Sequence, residues 1–310
     1  MASIAGFGRY LPERVLGNAE LARLLGCEAA WIVEASGIEE RRVAEAEETV
    51  AVLAERAAKD CLEQAGVSAS QVGLVILSSG TSERRFPGPA AEVAQRLGLA
   101  GVPAIDLPLA SAGSLFGLAL AAQLAPMYGT VLVVAAEKMS AVARGEPLDR
   151  NVAILFGDGA GACLVSGGSG ELEIVDSALH SDGAWAEHLR LEFSGPVQMD
   201  GRSVILQAAR RIPAAIVEVL AKQGVEAGAV GTFLLHQANR NLTERVAKGL
   251  GVPAGRFFSN IQRYGNTSSA SLLIAASEWW GPVALETGDW VCFAAFGAGF
   301  HWGAVLARKT

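Results

Sequence analysis

Continuous apolar runs of strand length alternate along the chain with segments of helical length. Strands are predicted at residues 102–110, 131–136, 154–156, 162–165 and 290–295, and helices at about 49–65, 89–97, 112–125, 204–223, 240–250 and 268–279. The strand runs carry apolar residues on both faces, which is typical of strands covered by helices on each side. The alternation therefore predicts a layered α/β fold.

A long-range repeat divides this pattern in two. Residues 62–79 align with residues 220–237 at a constant offset of 158 residues, and the aligned segments share seven identities. Each copy has the pattern of an amphipathic helix ending at glycine, a polar turn and a buried strand. The alternative to a duplication is that such units resemble one another by chance. We interpret the repeat as two related halves, residues 1–167 and 171–310, connected by the glycine-rich cluster 167–170.

Composition and charge exclude several classes of protein. The chain has 310 residues, 51% of them hydrophobic, and a formal net charge of −7. This composition does not suit a disordered chain, and the negative charge argues against nucleic acid as a partner. No apolar stretch approaches the roughly 20 residues that span a bilayer, and the N-terminus lacks the pattern of a signal peptide, so neither a membrane nor secretion is expected.

The cysteines and glycines carry no sign of a metal or nucleotide site. The four cysteines lack paired spacing, which predicts free thiols in a reducing, cytoplasmic compartment, with no disulfide framework and no metal; they are Cys27, Cys61, Cys163 and Cys292. The glycine-rich run 157–161 lacks the P-loop lysine and the dinucleotide-binding spacing, so we interpret it as a tight turn.

Candidate chemistry centres on Ser111, which stands between a predicted buried strand and the start of an apolar helix. Unpaired backbone N–H groups and the positive end of the helix dipole are expected at such a position. They favour an attacking oxygen or sulfur and the oxyanion that its attack creates. The alternative is a serine that caps the helix and has no chemical role.

Seven segments in order resemble one family, the ketoacyl-acyl-carrier-protein synthase III branch of the thiolase superfamily. They are residues 8–15, 31–38, 135–140, 155–161, 236–239 (HQAN), 265–268 (GNTS) and 296–303. The resemblance implies a thiolase-like five-layered αβαβα sandwich of two duplicated halves, usually as a homodimer. It also implies an acyl-enzyme formed on cysteine, followed by condensation with malonyl on an acyl carrier protein and loss of carbon dioxide.

By the same resemblance the catalytic residues are Ser111, in the place of the family's nucleophilic cysteine, His236 and Asn266. A serine at this position stays an alcohol and needs a base, and His236 is the candidate, whereas a cysteine there is largely thiolate. Three explanations stay open: a natural serine nucleophile, a Cys→Ser substitution made to trap a complex, or a protein that has lost acyl-enzyme chemistry.

The resemblance also implies a substrate-binding set. Its members are Trp31, Phe86, Arg150, Asn239, Gly297 and Gly299. Trp31 matches the tryptophan that stacks on the adenine of coenzyme A, but the arginine expected four residues later is Ala35, so one-sided stacking is predicted. Phe86 matches a residue that reaches across the dimer to the acyl pocket, with a buried loop anchor as the alternative, and Gly299 is expected at the oxyanion site.

Acyl carrier proteins are acidic, so an acidic enzyme needs a local positive surface to bind one. We name as the carrier patch Arg210, Arg211, Arg240, Arg245, Lys248 and Arg256. The alternative for each of them is a side chain that lies on a solvated helix face and binds no partner. Two positions that are usually basic in the family are Leu206 and Asn241 here.

The predicted function is acyl transfer from acyl-coenzyme A or an acyl carrier protein onto Ser111, then condensation with malonyl carrier protein in fatty-acid or polyketide starter chemistry. The thioester is a substrate, and no further cofactor is expected. Acyl transfer to an alcohol or amine without condensation is an alternative. A non-catalytic partner subunit is another.

Overall fold

A computed structural model describes residues 2–168, 170–281 and 285–310. Within them the strands are β1 (Ala2–Tyr10), β2 (Val15–Gly17), β3 (Glu40–Arg42), β4 (Leu74–Ser78), β5 (Ala104–Leu107), β6 (Thr130–Lys138), β7 (Asp158–Ser166), β8 (Leu172–Ser181), β9 (Leu189–Arg190), β10 (Gln198–Met199), β11 (Val230–Leu235), β12 (Phe257–Phe258), β13 (Trp290–Gly297) and β14 (His301–Lys309). The helices are α1 (Asn18–Leu25), α2 (Ala29–Ser36), α3 (Val50–Ala65), α4 (Pro89–Arg96), α5 (Gly113–Tyr128), α6 (Met139–Ala143), α7 (Arg150–Ala153), α8 (Gly201–Lys222), α9 (Arg240–Leu250), α10 (Ile261–Tyr264) and α11 (Ser271–Trp280).

Ten strands form one mixed sheet whose order repeats about its centre. The order is β12-β11-β13-β14-β8-β1-β7-β6-β4-β5, so β1-β7-β6-β4-β5 on one side corresponds to β8-β14-β13-β11-β12 on the other. The central contact is the antiparallel pairing of β1 with β8. β4 and β11 are the strands that the sequence repeat aligns. The division into halves at 167 and 171 stays a prediction, and Ser169 of the predicted connection lies outside the described residues.

The helices lie in three layers around the two parts of this sheet. α3 and α4 cover the outer face of β4, β6 and β7, and α8 and α9 cover the outer face of β11, β13 and β14. α5 and α11 lie between the two parts and contact strands of both. The predicted five-layered αβαβα arrangement is therefore confirmed, and α5 is largely apolar because strands of both parts of the sheet cover most of it.

In the glycine-rich run 157–161, residues 158–161 are not the predicted tight turn but the start of β7. A Cβ on Gly161 would lie 2.6 Å from the Cβ of Leu273 in α11. The glycines therefore permit close helix–sheet packing rather than a reversal of the chain. The predicted strand 154–156 is also wrong, because Ile154 caps α7 and only Phe156 forms an isolated bridge, to Asn266.

Of the predicted strand 102–110, only residues 104–107 form a strand, and this strand, β5, lies at the edge of the sheet. Its residues are half-buried or exposed, with Ile105 43% exposed, so the prediction of a buried strand is wrong there. The predicted strands 131–136, 162–165 and 290–295 lie within β6, β7 and β13. Among the described residues, every helix is too short or too polar to cross a lipid bilayer.

Gly8 tests the packing of α3 on β1. A Cβ there would lie 2.7 Å from the carbonyl oxygen of Ala57 and closer still to the backbone nitrogen of Cys61. We expect Gly8→Ala to lower the free energy of unfolding by about 1–3 kcal/mol, because the helix must move. Gly17 is the matched control, because nothing lies within 4 Å of a Cβ built there. Equal urea denaturation midpoints for the two variants would contradict the close approach.

Candidate active site

Ser111, His236 and Asn266 line one cavity of about 120 Å³. Ser111 lies in the turn before α5, His236 directly follows β11, and Asn266 lies between α10 and α11. The three residues are 8%, 7% and 6% exposed. The fold thus brings together the three residues that the sequence singles out from positions far apart in the chain.

Ser111 and Ser268 are the two non-glycine residues of the described chain with positive φ, at 62° and 46°. The Ser111 backbone N–H donates to Ser268 Oγ at 3.0 Å, and the Ser268 N–H donates to Asn266 Oδ1 at 2.8 Å. These bonds link the two strained residues to each other and to Asn266. They also use the Asn266 amide oxygen, which leaves its NH₂ group as the donor available to a ligand.

The Ser111 N–H is not one of the unpaired N–H groups expected at the start of the helix, because it donates to Ser268 Oγ. Besides the bond to Ser268, the neighbouring Ala112 N–H donates to the Ala110 carbonyl at 2.7 Å. An oxyanion site on the Ser111 N–H would have to replace the bond to Ser268. The α5 helix begins two residues further on, at Gly113, so the serine precedes the helix rather than opening it.

A hydrogen bond at Nδ1 holds the imidazole ring of His236 in place. Nδ1 lies 2.5 Å from Ser271 Oγ, and the His236 backbone N–H donates to the Ala294 carbonyl at 2.9 Å. Burial lowers the pKa of the imidazole to about 4, because the charged form loses its hydration. The ring is therefore neutral at pH 7, with Nε2 as the nitrogen that Ser271 does not contact.

A buried carboxylate, Glu137 at the end of β6, supports the site from behind. Its Oε1 accepts from the hydroxyl and the N–H of Ser269, at 2.6 and 3.3 Å. Its Oε2 accepts from the Gly80 N–H at 3.0 Å and from the hydroxyls of Thr81 and Ser79 at 2.6 and 3.4 Å. Burial raises the pKa of this carboxyl while the donors lower it. Sequence reasoning did not single out Glu137, although it lies in the resembling segment 135–140, because a lone glutamate in an apolar run carries no signal of its own.

The end of β13 packs on the serine segment through Gly297, and Gly299 of the following loop does not. A Cβ on Gly297 would overlap the Ala110 carbonyl oxygen and lie 2.8 Å from the Ala112 nitrogen. Ala298 lines the cavity, whereas Gly299 packs against the ring of His301. Ala298 is thus a residue that the glycine pattern did not reveal.

Trp31 has a cationic partner from another part of the chain. The Arg150 guanidinium carbon lies 5.4 Å from the centroid of the Trp31 ring. Ala35, at the position expected to be arginine, contributes its carbonyl oxygen to the Asn239 Nδ2–H at 2.9 Å. An aromatic–guanidinium pair therefore exists here, and one-sided stacking of an adenine on Trp31 stays a prediction. Asn239 itself lines the cavity.

The predicted carrier patch separates into exposed side chains and less exposed ones that are engaged within the protein, and one exposed member, Arg240, pairs with Glu244 at 3.9 Å. Arg211 pairs with Asp182 at 2.8 Å and lies over the Trp302 ring, and Arg256 donates to the Val230 carbonyl at 2.9 Å. The exposed members are Arg210, Arg240, Arg245 and Lys248. Phe86 is 84% exposed and does not line the cavity, so the alternative of a buried loop anchor is wrong.

Apolar side chains form most of the cavity wall. They come from α8 and from the segment around β9 and β10, and include Leu189, Leu191, Val197, Met199, Val204, Ile205 and Ala208. Such a wall suits a narrow, largely apolar ligand whose one polar end meets Ser111, His236 and Asn266. Throughout the residues that the structure describes, no three His, Cys, Asp or Glu side chains come together in a way that could hold a metal ion.

Comparison with known proteins gives consistent matches along the chain. The model for 3-oxoacyl-[acyl-carrier-protein (ACP)] synthase III matches residues 105–183, and the model for its C-terminal region matches residues 220–309. The beta-ketoacyl-[acyl-carrier-protein] synthase III of Aquifex aeolicus is 37% identical over 98% of both chains. That of Chlamydia caviae is 34% identical over 100% of this chain and 97% of its own.

Solved structures match the fold over the same length. The crystal structure of the Aquifex aeolicus 3-oxoacyl-[acyl-carrier-protein] synthase III superimposes with a TM-score of 0.95 over 100% of both chains, at 36% identity. The priming beta-ketosynthase of the R1128 polyketide biosynthetic pathway superimposes with a TM-score of 0.92, at 30% identity, over 100% of this chain and 96% of that one. The predicted thiolase-like fold is confirmed by these matches.

The lowered pKa of His236 predicts a pH-dependent stability. The unfolded chain takes up a proton near pH 6.5, whereas the folded ring resists protonation down to about pH 4. The neutral His236 ring therefore contributes fully to the free energy of unfolding above pH 6.5. As the pH falls towards 4, up to about 3 kcal/mol of this free energy is lost. We expect the unfolding free energy of the protein, relative to His236→Gln, to fall over this range in urea titrations. A difference that does not change with pH would contradict the buried neutral ring.

Glu137→Gln tests the support behind the site. The amide places an NH₂ group against at least one of the donors that the carboxylate accepts, so we expect a loss of about 1–3 kcal/mol in unfolding free energy. The turnover number should fall more than the Michaelis constant changes, since Ser269 adjoins the residue that holds Ser111. Glu63→Gln, on the exposed face of α3, is the matched control. Unchanged stability and turnover in Glu137→Gln would show that the donors do not need the charge.

Proposed function

The chain belongs to the 3-oxoacyl-[acyl-carrier-protein] synthase III family, and on this premise we propose that it is an acyltransferase that condenses an acyl group with malonyl on an acyl carrier protein. The observation that carries the proposal is the single cavity lined by Ser111, His236 and Asn266. Its reaction would belong to the starter chemistry of fatty-acid or polyketide synthesis, and the match to a polyketide priming ketosynthase supports this range.

In the first half-reaction Ser111 takes the acyl group. Its hydroxyl oxygen attacks the thioester carbonyl, Nε2 of neutral His236 accepts the hydroxyl proton, and the carbon–sulfur bond breaks. The departing thiolate recovers that proton and leaves as a thiol. The lowered pKa keeps the His236 ring neutral, so it can accept a proton at pH 7, but it also makes the ring a weak base and this proton transfer the demanding part of the step.

In the second half-reaction malonyl on the carrier protein loses carbon dioxide. The electrons of the broken carbon–carbon bond form an enolate, whose oxygen receives hydrogen bonds from Nε2–H of His236 and from the NH₂ of Asn266. The enolate carbon attacks the Ser111 ester, and one proton is taken up as the serine oxygen leaves. The bond from the Ser268 N–H to Asn266 Oδ1 supports this role, because it turns the amide nitrogen to the ligand side.

Two surfaces would bind the ends of the substrates that do not react. The Trp31–Arg150 pair offers an aromatic face and a guanidinium to an adenine ring, which favours coenzyme A thioesters as acyl donors. The exposed part of the carrier patch would meet an acidic carrier protein. The thioester is the only small-molecule partner that this chemistry needs, so the proposal includes no metal or other cofactor.

Assembly and location complete the proposal. Exposed Phe86 and the half-exposed edge strand β5 support a homodimer, in which Phe86 would reach the acyl pocket of the partner subunit. The cysteines of the described chain are free, and three of the four are buried, which fits the reducing conditions of the cytoplasm.

Intact-protein mass spectrometry with acyl-coenzyme A and acyl-carrier donors tests the proposal. We expect an adduct on the protein, none on Ser111→Ala and a faster one on Ser111→Cys, because a thiolate needs no base. Carbon dioxide release with malonyl carrier protein separates condensation from simple acyl transfer to an alcohol or amine.

The other outcomes identify the alternatives. An adduct on Ser111→Cys alone would point to a silenced or substituted nucleophile. No adduct on any variant, with unchanged product formation in the pathway for Ser111→Ala, would point to a non-catalytic partner subunit.

A further inference from the structure

The two half-reactions of the proposed function demand opposite tautomers of His236. To accept the Ser111 proton, Nε2 must carry a lone pair, so the ring proton must be on Nδ1. To donate to an enolate, Nε2 must carry the ring proton. The group that contacts Nδ1 therefore decides which half-reaction the resting site is ready for.

That group is the hydroxyl of Ser271, the first residue of α11. Ser271 is 2% exposed, and its Oγ lies 2.5 Å from His236 Nδ1 and 3.0 Å from the Gln237 backbone nitrogen. A backbone N–H can only donate, so Gln237 uses one lone pair of Oγ. The hydroxyl proton then needs an acceptor of its own.

Nδ1 is that acceptor. Over residues 2–168, 170–281 and 285–310, Oγ of Ser271 has hydrogen-bond contacts with His236 and Gln237 alone. If the hydroxyl donates to Nδ1, all three groups are satisfied. If Nδ1 carried a proton, Oγ would accept twice and its own proton would be buried without a partner, which proteins avoid.

We propose that Ser271 is a positioning residue that holds neutral His236 in the Nε2–H tautomer. The consequence for the reaction rests on the proposed function: the donor that an enolate needs is present at rest, whereas the base that Ser111 needs is the minor form. The penalty for an unpaired buried hydroxyl makes the base tautomer less populated by about tenfold to a hundredfold. Acyl transfer onto Ser111 is then the slow half-reaction.

Ring ¹⁵N NMR of the free protein, labelled in histidine and held at pH 7, tests the tautomer directly and needs no activity. His236→Gln assigns the signals by difference, since His180, His188 and His301 remain. We expect Nδ1 of His236 to have the shift of an unprotonated ring nitrogen and Nε2 that of a protonated one. The reverse pattern, or an average of the two, would overturn the inference.

Ser271→Ala separates positioning from a purely structural role. We expect Ser271→Ala to lower the rate of carbon dioxide release from malonyl carrier protein by about tenfold or more, relative to the rate of single-turnover acylation of Ser111. The reason is that the variant lacks the hydrogen bond that favours the Nε2–H tautomer. Equal losses in both rates would overturn the role. Ser271→Thr retains the hydroxyl and should restore the ratio. A protein with the expected NMR pattern but no acyl adduct would refute the proposed function and leave the tautomer inference standing.

Discussion

The buried carboxylate of Glu137 is the interaction on which the site depends. It lies in the first part of the chain and accepts from Ser269, 132 residues away, as well as from the residues that follow β4. A carboxylate loses much hydration on burial, and only a full set of donors offsets that cost. The turn that carries Asn266 and Ser268 is therefore held against the strand end at Gly80. Ser268 in turn holds Ser111 at a backbone angle that serine seldom adopts.

The polar groups around the cavity are largely engaged with one another. Ser111 donates its N–H to Ser268, Asn266 accepts through its oxygen, and His236 is bound at Nδ1. What remains for a ligand is a hydroxyl, an amide NH₂ and one imidazole nitrogen. This arrangement favours stabilisation of negative charge on an oxygen over removal of a proton from an alcohol. A thiol in place of Ser111 would suit such a site, because a thiolate forms without a dedicated base.

The side chains predicted to bind the substrate ends have contacts within the protein that the local sequence does not indicate. Ala35 removes a cation near Trp31, yet Arg150 from a distant helix supplies one at 5.4 Å from the ring. Conversely, three of the six carrier-patch side chains have partners within the protein. Arg211 pairs with Asp182, Arg240 pairs with Glu244, and Arg256 donates to backbone carbonyls. Charge near a site in sequence is therefore a weak guide to charge available at its surface.

The sequence by itself determined the layered fold, because buried strands and helices differ in hydrophobic period and the α5 segment is almost wholly apolar. It also determined the three cavity residues, through motifs that resemble a known family. Only the tertiary structure decided that residues 158–161 begin a strand, that β5 is an edge, that Glu137 binds Ser269 and that Ser271 contacts His236. Local patterns encode local periodicity, whereas the bond between Ser111 and Ser268 joins residues 157 positions apart. Such partners are chosen by how the layers pack, and no short stretch of chain specifies that.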